Sequence, residues 1–174
     1  MSWTALVLAG SRPGADPFAA AHGTDLKALI PLAGQPMVAR PVAALLASAA
    51  IGRVRVLAQA VDRIAAALPD DPRVSVEASS ATIAATLDAI LSDPATIYPL
   101  LVTTADHGLL DVGMVDDFCG QAAGADLAIG LVERRALMAR LPQTRRTWLR
   151  FRGGAYSGAN LFAFGAPDAA RAVA

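Results

Sequence analysis

Short apolar runs alternate along this chain with stretches of helical period, and that alternation narrows the fold more than any other feature. The runs lie at residues 5–9, 54–57, 74–77, 98–104, 127–132 and 160–164. The first, Ala5-Leu6-Val7-Leu8-Ala9, carries no polar residue, as a strand covered on both faces requires. Helical patterns at 37–50, 61–68, 81–91 and 112–122 separate the runs. In the third of these helices Ser80 stands where an N-cap belongs, and Ile83, Leu87, Ile90 and Leu91 form a core-facing stripe. The pattern predicts a three-layer α/β/α sandwich around a mostly parallel sheet, in one domain of 174 residues. A helix opening near Pro167 has few residues before the sequence stops, so the domain reads as truncated at its C-terminus.

Residues 10–25 contain Gly10, Gly14, Gly23, Pro13 and Pro17 with no usable period, and read as a long loop of the kind that carries function. Residues 29–32 make a short extended piece, and Ala33-Gly34-Gln35-Pro36 turns the chain into the first helix. Fifteen basic residues balance fifteen acidic ones, which argues against a nucleic-acid polymer or an anionic membrane as principal partner. No uncharged apolar run approaches the roughly 18–20 residues of a membrane span, and the N-terminus lacks a basic segment and secretory core, so a cytoplasmic protein is expected. Cys119 is single, which leaves no intrachain disulfide or cysteine-based zinc cluster and suggests a small buried hydrophobe. Eleven acidic residues fall between Asp62 and Asp126, whereas seven arginines crowd the segment from Arg134 to Arg152. Such asymmetry suits a small anionic ligand.

Three loops follow strands, where open α/β sheets bind ligands. In Gly10-Ser11-Arg12-Pro13-Gly14 small residues let backbone N–H groups converge on phosphate oxygens, and Arg12 can add a bidentate contact. The loop fits neither G-x-G-x-x-G nor G-x-x-x-x-G-K-[ST], which disfavours dinucleotide cofactors and P-loop chemistry. In Thr103-Thr104-Ala105-Asp106 the carboxylate can hold Mg²⁺ or cap the helix that follows; His107 beside it reads as a helix-start residue or a catalytic group. In Gly158-Ala159-Asn160 the amide oxygen can be a neutral second ligand for a hard cation, or Asn160 can be a plain turn residue. Lys27 is the only lysine beside fourteen arginines, which points to a task a planar guanidinium cannot do, such as presenting a compact ammonium to a phosphate.

The order Leu8-Ala9-Gly10, then Lys27-Ala28-Leu29-Ile30-Pro31-Leu32-Ala33-Gly34-Gln35-Pro36-Met37, then Thr104-Ala105-Asp106, then Gly158-Ala159-Asn160-Leu161 resembles one superfamily across nearly the whole chain. It is that of the molybdenum-cofactor guanylyltransferases and sugar-phosphate nucleotidylyltransferases, the MobA-like NTP transferases. The resemblance implies the nucleotide-diphospho-sugar transferase fold, GT-A or Rossmann-like. It implies that Lys27 contacts the phosphates, that Asp106 binds Mg²⁺, and that Leu8, Ala9, Gly10, Ser11 and Arg12 hold the nucleotide. In several members a loop before a helix contacts base or acceptor, and Ser79, Ser80 and Thr82 stand in that place. Ser11 occupies the position where members usually carry a second glycine, and Arg12 arrives early.

The expected reaction is Mg²⁺-dependent transfer of NMP from an NTP to a small phosphorylated or hydroxylated acceptor, with pyrophosphate as product. Arg150 and Arg152 are candidates for the acceptor's anionic group, because alternation in 148–152 puts both on one strand face with Trp148. A solvated face, or subunit contacts in a homo-oligomer, are the other uses of this cluster. Two further classes stay open. A nucleotide-sugar-dependent glycosyltransferase normally shows two aspartates separated by one residue, where this chain has Thr104-Ala105-Asp106. A non-catalytic nucleotide-binding domain of the same fold is compatible with the altered glycine loop.

Overall fold

The structure, a computed structural model, describes residues 2–11, 14 and 16–172; Arg12 lies outside them. The first half runs β1 (Trp3–Leu8), α1 (Pro17–Ala21), a 3-10 turn (Lys27–Leu29), β2 (Pro31–Leu32), β3 (Gln35–Pro36), α2 (Ala39–Ala47), β4 (Ile51–Ala58), α3 (Val61–Ala65) and β5 (Val74–Ala78). The second runs α4 (Ile83–Leu91), β6 (Leu100–Thr104), α5 (Val112–Ala122), β7 (Leu127–Glu133), α6 (Arg134–Arg140), β8 (Leu149–Phe151), β9 (Gly154–Phe164) and a 3-10 segment (Pro167–Ala172).

Among the described residues, seven strands form a sheet in the order β5-β4-β1-β6-β9-β7, with β8 pairing β9. β5, β4, β1 and β6 are mutually parallel. β9 runs against β6, β7 and β8. Side chains alternate across the pleat, so each central strand feeds two cores. Val42, Leu45, Ile64, Val115 and Cys119, from α2, α3 and α5, pack on Val54, Val56, Val7 and Leu101. On the opposite face Leu87 and Leu91 of α4 and Ala169 pack on Leu6, Leu57, Leu100, Val102 and Phe164. Helices on both faces of a mostly parallel sheet make the expected α/β/α sandwich. Each leucine buried in this way contributes about 1.5–3 kcal/mol over an exposed one, which makes the central strands the firmest support available to the loops at their ends.

Several boundaries differ from the sequence reading, each for a local reason. The expected loop at 10–25 contains α1, because the Asp16 carboxylate accepts from the N–H groups of Phe18 and Ala19 and Pro17 occupies the first helical position. The first helix of the reading starts at Ala39 rather than at 37, since residues 31–36 form a hairpin. Its two-residue turn, Ala33 at φ 51° and Gly34 at φ 81°, has the left-handed pair that matches strand twist. α4 is capped by the Thr82 hydroxyl, which accepts from Ala85 N–H at 3.0 Å, and not by Ser80. The later start leaves Ile83 exposed instead of in the core stripe. The segment 134–140, read only as arginine-rich, is a helix, and the last strand begins at Gly154, not 160. Cys119 is buried, and that burial pushes its thiol up to about 11. No helix of the described residues is long and apolar enough to cross a membrane.

Candidate active site

β4 and β5 lie on one side of β1 and β6 on the other, so the strand order reverses between β1 and β6. Their carboxyl ends splay loops apart at that point and leave a crevice. A cleft of about 890 Å³ opens there, lined by Leu8, Ala9, Gly10, Ser11, Lys27, Ser79, Ser80, Thr82 and Asp106, with Asp16, Phe18, Gln59, Thr86 and Thr104 among the rest. The structure thus brings together every described residue proposed for the nucleotide. Asn160, Arg150 and Arg152 do not line this cleft.

Lys27 reaches Asp106 across 79 positions of sequence, Nζ to Oδ2 at 2.5 Å. Its backbone is pinned both after and before it. Ala28 and Ile30 are buried, and their carbonyls accept from Val38 and Met37 N–H. Ahead of them, Arg63 donates two hydrogen bonds to Asp25, at 2.8 and 2.6 Å, and holds the Asp25 carboxyl at about 2. On the other side, Asp106 stands two residues beyond the end of β6, Ala105 N–H donates to Leu8 C=O, and the Thr104 hydroxyl donates to Asp106 Oδ1 at 2.5 Å. Burial raises the Asp106 carboxyl, but the Lys27 ammonium and the Thr104 hydroxyl outweigh it and hold the group below the usual carboxylate range. Asp106 is ionised at neutral pH. It does not cap α5: Asp111 does, accepting from Met114 N–H at 2.8 Å. His107 turns toward Thr103 (Nδ1 to Oγ1, 3.2 Å), and burial, with Arg146 adding to it against Asp106, lowers its imidazole.

Asn160 owes its place to a bulge. Ile129 pairs Phe162 and Leu131 pairs Gly158, so Ala159, Asn160 and Leu161 oppose the single Gly130. Asn160 sits there at φ 53°, in the left-handed region that asparagine tolerates and branched residues do not. The bulge turns its amide so that Nδ2 donates to Thr104 Oγ1 at 3.3 Å. Asp106, Thr104 and Asn160 therefore form one hydrogen-bonded row. Asn160→Gly is expected to stay within about 1 kcal/mol of wild type in urea unfolding, whereas Asn160→Val should lose roughly 1–3 kcal/mol. Equal stability of the two would mean that the positive φ imposes nothing.

Sequence reasoning missed three side chains here. Gln59, directly after β4, accepts from Ser11 N–H at 2.8 Å and donates to Ser80 C=O at 3.3 Å. Thr86 receives Ser80 N–H at 3.0 Å and donates to Thr82 C=O at 2.8 Å, shaping the loop that Ser79 and Ser80 belong to. Arg146 donates to Ser157 Oγ and Gly158 C=O, two residues from Asn160. Arg150 lies on β8 and Arg152 in the turn after it, so the face these two arginines were expected to share with Trp148 ends at Phe151. Ser79 Oγ is buried with no hydrogen-bond partner, a group that a polar ligand in the cleft would satisfy.

The sequence matches the MobA-like NTP transferase domain over residues 5–151. The chain belongs to that family. Among solved structures, a hypothetical transferase from Thermus thermophilus is 28% identical with a TM-score of 0.72, over 95% of this chain and 66% of the other. This MobA-like domain therefore spans a little under two thirds of that protein's length. A 4-diphosphocytidyl-2C-methyl-D-erythritol synthase from Anaerococcus prevotii gives a TM-score of 0.66 at 9% identity, over 94% of this chain and 71% of the other. A second synthase of that name gives 0.65 at 15%, over 99% and 79%. These two share the nucleotidyltransferase fold with the MobA-like domain. No curated protein matches the sequence.

Proposed function

We propose that this MobA-like domain transfers a nucleoside monophosphate from an NTP to a small phosphorylated or hydroxylated acceptor and releases pyrophosphate. The observation that carries the reading is the contact between the only lysine and Asp106 at the switch point, in the cleft that the Gly10 loop also lines.

The donor set suits Mg²⁺. It offers one ionised carboxylate, with the neutral Asn160 amide tied to it through Thr104, and the described residues contain no group of three or more His, Cys, Asp or Glu. Mg²⁺ commonly takes one or two carboxylates and completes its shell with water and substrate phosphates. Asp106 and Asn160 would hold the ion, which supplies charge neutralisation at the phosphates when bound.

The Lys27 and Asp106 side chains are 44% and 36% exposed, and pairs so exposed contribute about 0.2–1 kcal/mol. That is small against the charge of a triphosphate, so Lys27 can leave Asp106 for phosphate oxygens and stabilise the developing charge. Gly10 lets the ligand approach the backbone at the end of β1. Ser11 N–H is already donated to Gln59, so any phosphate contact of Ser11 uses another group in this state. On the acceptor side Arg146, held by Ser157 and by Gly158 two residues before Asn160, joins Arg150 and Arg152 as a candidate partner for the acceptor's anionic group. Catalysis of this kind is positioning plus electrostatics, with in-line attack and no covalent intermediate.

Thermal shift with ATP, CTP, GTP and UTP, each with Mg²⁺, tests the binding half. An NTP at a hundred times its dissociation constant stabilises by about 2.7 kcal/mol, a rise of roughly 5–10 °C for a domain of this size. No shift with any of the four would remove the reading.

A further inference from the structure

We propose that Gln59 is a positioning residue for the nucleotide: its one carboxamide latches the Gly10–Ser11 loop to the Ser79–Ser80 loop before ligand arrives. The inference rests on reading the cleft as an NTP site.

β4 lies between β1 and β5, so a residue at its carboxyl end stands between the loops that follow those two strands. Gln59 is that residue, and each end of its amide is used. Oε1 accepts from Ser11 N–H at 2.8 Å, and Nε2 donates to Ser80 C=O at 3.3 Å. The reverse orientation would set donor against donor and acceptor against acceptor, so both bonds select one rotamer of the amide. No other side chain among the described residues bonds to both loops. Gly10 packs directly on the latch: a Cβ there would stand 3.2 Å from Nε2, closer than ordinary contact, and 3.4 Å from Oε1, at its edge. The same Cβ would come 3.6 Å from Ser79 Oγ, the buried hydroxyl that lacks a partner. A side chain at position 10 would therefore have to displace the Gln59 carboxamide by a few tenths of an ångström.

Gln59 is exposed and adds little to either core, which separates its effect from general stability. A latch already closed in the empty protein spares the ligand the ordering of two loops, and that saving appears as affinity. The residue does not reach the Lys27–Asp106 pair, so its loss should weaken binding of ground and transition state alike.

The test uses Gln59→Ala and Gln59→Glu, with amide hydrogen exchange of the free proteins and titration of the NTP that shifts wild type most. Inorganic tripolyphosphate, the moiety shared by every NTP, is the second probe for all three proteins. In Gln59→Ala, exchange should quicken at Ser11 and along residues 79–82, the melting temperature should stay within about 2 °C, and affinity should fall about tenfold. Gln59→Glu keeps an acceptor for Ser11 N–H but faces the Ser80 carbonyl with a carboxylate oxygen. It should retain protection at Ser11, lose it at 79–82, and bind as weakly as the alanine variant. Unchanged affinity in Gln59→Ala overturns the proposal, whether or not exchange quickens. Tighter binding overturns it too, since the amide would then compete with the ligand for Ser11 N–H. If wild type binds neither an NTP nor tripolyphosphate, the reading of the cleft fails and the positioning role with it. Wild-type binding that Gln59→Ala leaves intact removes the latch alone.

Discussion

Asp106→Asn is expected to lower the turnover of nucleotidyl transfer by roughly 10²–10³-fold while the protein stays folded. The substitution keeps size and still accepts from the Thr104 hydroxyl, but it removes the site's central negative charge and turns an amide donor toward the Lys27 ammonium. Stability should barely move, because a pair this exposed contributes about 0.2–1 kcal/mol. The sign with pH is fixed by the direction of the shift. The folded carboxyl is held below its ordinary value, so the stability it adds is present above the usual carboxylate range and fades as pH falls through the folded value. Acid unfolding of Asp106→Asn should lack that component. Steady-state pyrophosphate release and a thermal melt, run on the same preparation, check both halves; a variant that unfolds readily yet turns over normally would make Asp106 structural.

Substitution of Lys27 should act on the phosphates rather than on the fold. Lys27→Met removes the ammonium and should lower kcat/KM about a hundredfold, within the range for losing one preorganised electrostatic contact. Lys27→Arg keeps the charge, yet its planar fork cannot sit on a single phosphate oxygen as an ammonium does, and a loss of roughly tenfold is expected. Residues in direct contact seldom act independently, so Lys27→Met combined with Asp106→Asn should cost less than the product of the single losses. Full activity of Lys27→Arg would mean that the single lysine of this chain is an accident of composition.

The strand at 5–9 was legible as an unbroken apolar run, those at 54–57 and 74–77 as short valine-bearing stretches, and α5 as a segment of helical length between two strands, none of which needs knowledge of neighbours. Lys27, Asp106 and the Gly10 loop were legible because motif order survives in sequence while distance in space does not matter to it. What escaped depends on nonlocal pairing. Asn160 read as the start of a strand, since the bulge that carries it exists only in register with Gly130 of β7. Gln59 offered a signal, a polar residue directly after a buried strand, but its meaning comes from two loops that only the strand order brings to either side. Ile83 fitted a core stripe by spacing, yet capping by Thr82 places it in the first turn of α4, where it lines the cleft. α1 was hidden by prolines and glycines whose local use, an Asp16 cap followed by Pro17, is a helix start as well as a loop signature.

Nucleotidyl transfer differs from phosphoryl and glycosyl transfer in which atoms of the donor stay with the acceptor, and an α-³²P-labelled NTP reads this directly. Incubated with Mg²⁺ and a panel of sugar phosphates and other small anionic acceptors, the protein should move the α-label into a new product and release one pyrophosphate for each label transferred. Transfer of a γ-label instead, or a product formed only from a nucleotide sugar without pyrophosphate, would contradict the assignment of Lys27 and Asp106 to an NMP-transferring site.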